Sequence, residues 1–170
     1  MQRRLGPAIL IISLALGTTA CASTETTGAT LADTKSPVQL LRNESILRLP
    51  SADVGAVVST DESVGCDGDE SVRQWNSAAT ITLSTTASQD PDAAIATLAS
   101  SFEEDGWVVS PGNEREDDEQ AVLTSGTSAA EIRLIAHAGS PATVTIEAAG
   151  PCVQTDGPDS EEVRTLDVAE

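Results

Sequence analysis

Residues 75–83 read WNSAATITL. Placed on an extended chain, Trp75, Ser77, Ala79, Ile81 and Leu83 fall on one side, and Thr80, Thr82 and Ser84 on the other. A period of two with Thr and Ile is the pattern of a half-buried strand. The same alternation returns downstream. Over Ala130–His137, Ile132, Leu134 and Ala136 oppose Glu131, Arg133 and His137, and over Ala142–Ala148, Val144 and Ile146 oppose Thr143, Thr145 and Glu147. Gln120–Ser125 and Trp107–Val109 read as two more strands, with turns at Pro111-Gly112, Gly126–Ala129 and Gly139–Pro141. Strands with one apolar and one polar face build an antiparallel sheet that is wetted on one side.

The apolar face needs a cover, and the chain supplies two helical patterns. Asp90-Pro91-Asp92 joins a capping carboxylate to a proline at the first helical position. Ile95, Leu98, Ala99 and Phe102 follow at helical spacing, and Gly106 supplies the stop. Upstream, Ser36-Pro37 reads as a second start, with Val38, Leu41, Ile46 and Leu49 on the helix and Pro50 ending it. Val54–Ser59 reads as a short strand, followed by an acidic loop carrying Asp61, Glu62, Cys66, Asp67, Asp69 and Glu70. The expected fold class is α+β, a two-layer sandwich of a mainly antiparallel sheet with one or two helices packed on one face.

The start of the chain speaks of location. Arg3 and Arg4 precede the apolar run Ala8–Leu16, then Gly17-Thr18-Thr19-Ala20 and Cys21. A charged start, a short apolar run and small residues are the signature of an export signal, and the run is too short to span a bilayer, which takes about 20 residues. The cysteine after Ala20 resembles a bacterial lipobox, with Thr18 standing where that pattern has Leu. The expected organisation is a signal peptide over 1–20, a flexible tether over 21–34, an α+β domain over 35–152 and an acidic disordered tail over 153–170. The lipobox-like start, the Ser/Thr-rich tether, Cys66, the Asp90–Ala93 helix start, Asp105-Gly106-Trp107 and Gly150–Val153 together resemble small secreted lipoproteins of actinobacteria. That resemblance implies lipidation at Cys21 and a place on the outer face of the cell membrane, and it carries over no catalytic residue.

Charge and composition narrow the function classes. The formal charge is −18, and becomes −20 once Arg3 and Arg4 leave with the signal. Such a surface disfavours nucleic acid and repels anionic head groups, so attachment must come from lipid rather than from a basic patch. Phe102, Trp75 and Trp107 are the only aromatic residues, too few for a stacking platform. With Cys21 used by the anchor, Cys66 and Cys152 form an even pair in an oxidising compartment and are expected to be disulfide-bonded.

Little chemistry assembles along the sequence. His137, the single histidine, alternates with Glu131 and Arg133 on a polar face, and no G-x-S-x-G elbow occurs. Asp67–Glu70 and Glu114–Glu119 are acidic, but Asp67–Glu70 lacks the calcium-loop spacing. The expectation is a monomeric, non-catalytic interaction or structural module with no cofactor and no metal, held to the membrane through Cys21, with an envelope protein or a lipid as partner and no nucleic acid. A small carrier of lipid or another apolar ligand is the first alternative. A hydrolase using acids and His137 is the second.

Overall fold

A computed structural model of the chain describes residues 28–84, 90–112, 120–125 and 128–168. Cys21, the signal segment and the Glu114–Glu119 run lie outside the described residues. Helix α1 spans Leu31–Leu47, α2 Pro91–Glu104 and α3 Glu161–Val168. Strands β1 to β7 span Val54–Cys66, Asp69–Leu83, Trp107–Pro111, Gln120–Ser125, Glu131–His137, Thr143–Ala149 and Val153–Gln154. They form one antiparallel sheet in the order β1-β2-β6-β5-β4-β3, with β7 pairing the start of β2. The fold is an α+β sandwich, as the alternating strands predict.

Strand β2 organises the sheet. Along it Arg73, Trp75, Ser77, Ala79, Ile81 and Leu83 are buried, while the intervening residues face outward and are only partly covered. Its register sets Ile81 beside Val144 and Ala79 beside Ile146, so the inward rows of β2 and β6 meet. Two clusters fill the space under the helices. One gathers Ile95, Leu98 and Phe102 of α2 with Leu123, Ile132, Leu134, Val144 and Ile146. The other gathers Leu31, Val38, Trp75, Ala148, Val153 and Val163.

Helix α2 starts as its sequence dictates. Asp90 Oδ1 accepts the N–H groups of Asp92 and Ala93 at 3.1 and 3.2 Å, and Pro91 occupies the first turn, where no amide donor is needed.

Three expectations are corrected. Helix α1 begins at Leu31, not at Ser36, so the expected tether to residue 34 overruns into the folded domain. Thr30 caps the helix: its Oγ1 accepts Asp33 N–H at 3.3 Å while Asp33 Oδ2 accepts Thr30 N–H at 3.0 Å, a reciprocal box in which aspartate takes the place usual for glutamate. Pro37 sits inside this helix.

The acidic stretch after Ser59 is hairpin, not loop. Cys66 pairs with Asp69 across the two-residue turn Asp67-Gly68, both with positive φ (50° and 80°). That is the conformation two-residue hairpin turns need, and Asp-Gly is a favoured dipeptide for it.

The segment 153–170 is ordered through residue 168. Val153 and Val163 are buried in the second cluster, Thr155 N–H donates to Ser71 O at 2.8 Å, and Ser160 Oγ accepts Val163 N–H at 3.3 Å to start α3. Two buried valines in an otherwise acidic segment suffice because α1 offers a face to receive them.

Candidate functional site

The cysteines meet as expected: Cys66 and Cys152 are bonded, with Cα atoms 6.2 Å apart at a sequence separation of 86. The bond lies elsewhere than at the two ends of the sheet. Cys66 closes the β1–β2 hairpin, and Cys152 lies between β6 and β7, both of which pair with β2. The bridge therefore crosses β2 and fastens the hairpin tip to the returning chain. In the chain-entropy account, a closed loop of this length constrains the unfolded state by about 4–5 kcal/mol.

A buried polar cluster lies between α1, β1 and β2. Arg42 of α1 donates to Asp61 Oδ2 at 2.8 Å, and the side chains are only 10% and 5% exposed. The Trp75 indole N–H donates to Asp61 Oδ1 at 3.3 Å. Ser77 Oγ is buried beside them, without a hydrogen bond of ordinary geometry but close enough to act on the carboxylate. Burial pushes the Asp61 carboxyl up, but the Ser77 hydroxyl, the Arg42 guanidinium and the Trp75 indole outweigh it and hold the group below its usual range. The cluster is paired and closed by protein, which is the behaviour of a structural ion pair.

Trp75 is a core residue, as its strand parity predicts, and its buried ring also carries Lys35 Nζ 4.4 Å from its centroid. That ammonium donates to Leu166 O at 2.7 Å, which ties α3 to α1. Trp107 is half-buried, packed edge-on to Phe102 with ring centroids 5.2 Å apart.

The residues considered for chemistry stand apart. His137 ends β5 on the face without helices, with Nε2 3.3 Å from Thr145 Oγ1. Asp69 Oδ1 accepts from Ser71 N–H and Oγ at 2.9 and 2.7 Å, and Glu70 Oε2 takes Arg73 at 2.7 Å. Those hydrogen bonds hold the Asp69 carboxyl below its usual range and engage both acids locally. Among the described residues, no three of His, Cys, Asp and Glu converge to hold a metal ion.

What the structure adds is a groove that no motif announced. It runs along the flank of α1 and holds about 560 Å³. Pro37, Val38, Leu40 and Leu41 form one wall, and Trp107, the Ser128–Ala130 turn and Gly150-Pro151 form the other. Gly150 lets α1 approach β6 closely: a Cβ there would lie 3.0 Å from Val38 Cγ2. Among the described residues, Asp33 and Glu44 are the charged ones on the walls. The signal was present in the spacing of Pro37, Leu40 and Leu41, and Leu40 falls outside the apolar row Val38, Leu41, Ile46 and Leu49. Leu40 is 67% exposed.

Comparison with family models, with curated proteins and with solved structures finds no significant match.

Proposed function

We propose that the chain is an exported, lipid-anchored protein of the cell envelope, held to the outer face of the cell membrane by acyl chains on Cys21, and that its folded domain is a non-catalytic interaction module. The observation that carries this reading is the Cys66–Cys152 bond, which supports it because disulfides persist in oxidising compartments such as the cell exterior. The apolar run Ala8–Leu16, followed by small residues and Ala20-Cys21, supports the anchor. Two acyl chains, at about 0.8 kcal/mol per buried methylene, hold such a protein stably where one does not. Binding rather than catalysis is favoured because Glu131 on the strand that His137 ends and Glu70 at the hairpin turn are spent on local pairs, while the groove beside α1 offers an apolar bed.

The test is the intact mass of the protein taken from its native membrane fraction, before and after reduction. The reading expects residues 21–170 plus acyl groups, two hydrogens lighter until reduced, and release of a Cys21→Ala variant into the medium. An unlipidated mass, or retention of the variant, overturns the anchor.

A second reading, a carrier of a small lipid or other apolar ligand, is favoured by the groove itself. The groove lies on the surface beside α1, over the edges of the two packed clusters that Val38, Leu41 and Trp107 present, which suits a docked group better than an enclosed cargo. Lipid recovered in stoichiometric amount from the purified protein would turn the choice toward the carrier.

A further inference from the structure

Helix α1 buries Leu31, Thr34, Val38, Arg42 and Ser45. On its outer flank stand Asp33, Pro37, Leu40, Glu44 and Leu47, spaced four, three, four and three residues apart. That alternation draws one stripe along a helix, the stripe to which a second helix packs in a two-helix seam. Over fourteen residues it spans about 21 Å. Leu40 and Leu47 are 67% and 83% exposed, the two most exposed large apolar side chains among the described residues. Leu40 also lines the groove, whose floor continues the apolar surface inward to Val38 and Leu41.

Charge selects the occupant. Both charged residues on the groove are acids, and both lie on the stripe. Asp33 is exposed, and the Thr30 backbone and side-chain hydrogen bonds hold its carboxyl below its usual range. Glu44 is 61% exposed and shares Arg48 with Asp105. Every described Lys and Arg is already engaged: Lys35 with Trp75 and Leu166, and the arginines with Asp61, Glu44, Asp105, Glu70, Glu131, Glu147 and Asp159. A phosphate or carboxylate head group meets two acids at this rim and, among the described residues, only Arg48, already paired with Glu44 and Asp105, as a cation. A helix with leucine-like residues at the same spacing, flanked by Lys or Arg, meets apolar bed and acidic rim together.

We propose that the α1 flank and its groove form the docking site of a cationic amphipathic helix of a partner protein, seated on Leu40 and Leu47 with its basic residues against Asp33 and Glu44. The inference rests on the interaction-module reading above and names the chemistry of the partner.

The test uses residues 21–170 carrying Cys21→Ser, which retain every described element and the disulfide. The probe is a synthetic helix of about 15 residues, with Leu at three–four spacing and Lys elsewhere. Half-buried Trp107 in the groove wall reports binding by its fluorescence, while buried Trp75 stays silent. Saturable one-to-one binding at about 0.15 M salt is expected, where screening acts over about 8 Å. Leu40→Ser should weaken it about tenfold or more, as the loss of one buried leucine does. Leu40 is exposed, so this variant folds as the parent does, and an unchanged melting temperature verifies that.

Equal binding by the Leu40→Ser chain, or by a peptide of the same charge without leucine, would reduce the effect to bulk charge attraction and overturn the proposal. So would no binding at all. Leu40-dependent association with zwitterionic vesicles in preference to the peptide would overturn it in favour of a lipid surface. None of these results alters the mass test for Cys21, and an unlipidated Cys21 leaves the peptide result standing.

Discussion

Beneath α2, fourteen buried residues from α2, four strands and the connections that carry Leu49 and Ala142 close on one another, most of them in segments that pair with their sequence neighbours. Beneath α1, six buried residues come from both ends of the domain: Leu31 and Val38 from its start, Val153 and Val163 from its finish, with Trp75 and Ala148 as the floor. The first cluster is all apolar. The second adjoins a buried ion pair, is bridged over by the disulfide, and is bordered by the open groove. The domain needs most support under α1. A cluster gathered from chain ends closes long loops, whose entropy must be offset by something other than area, and the covalent bond and the Arg42–Asp61 pair stand where that need is greatest.

The comparison can be broken most strongly at the bridge. A Cys66→Ser/Cys152→Ser chain should lose about 4 kcal/mol in denaturant unfolding, with the loss centred on the second cluster. Phe102→Ala should cost about 3–5 kcal/mol by leaving a cavity in the first cluster. Combined with the cysteine changes it should add within a few tenths of a kcal/mol, since the two sites share no partner. Marked non-additivity would mean that the clusters are one unit.

Asp61→Asn should cost about 3 kcal/mol, because it leaves the Arg42 guanidinium buried without its counter-charge. Its pH dependence has a definite sign. The folded Asp61 pKa is depressed, so its stabilisation is complete above the ordinary carboxylate value of about 4 and is lost as pH falls through the lower folded value. The stability gap between parent and variant should therefore narrow on acidification below pH of about 4. A gap that widens there would contradict the assignment. Val163→Ala, at about 1–2 kcal/mol, is the smallest effect and asks whether α3 belongs to the core. No loss on that change would return residues 153–168 to the tail that their composition suggests.

The sheet and α2 were legible because their signals are local. Asp90-Pro91 carries its own cap, and the rows Trp75–Leu83, Ile132–Ala136 and Val144–Ala148 alternate without interruption. The second cluster and the hairpin tip beside it were hidden because Leu31, Val153, Val163 and the turn lie in segments that read as tether, tail and loop. Thr30 and Asp33 form a cap whose partner residue is shorter than usual, Asp67-Gly68 is buried in a run of acids, and Val163 and Leu166 lie in a tail dominated by charge. Those segments fold because a preformed face receives them, and no window of the sequence contains both sides of that contact. The disulfide was legible from compartment and count, while its position across β2 was not. The groove was the least legible feature, because exposed Leu40 and buried Val38 differ only in which side of the same helix they occupy.

The most direct measurement is amide hydrogen exchange on the oxidised and the reduced chain. Distinct clusters, the second held by the bridge, predict that reduction raises exchange in α1 from Thr34 to Arg42, in the β1–β2 hairpin tip and in residues 153–166. The amides of Leu123, Ile132, Leu134 and Ile146 should keep their protection. Equal loss of protection in both sets, or none in either, would contradict the account.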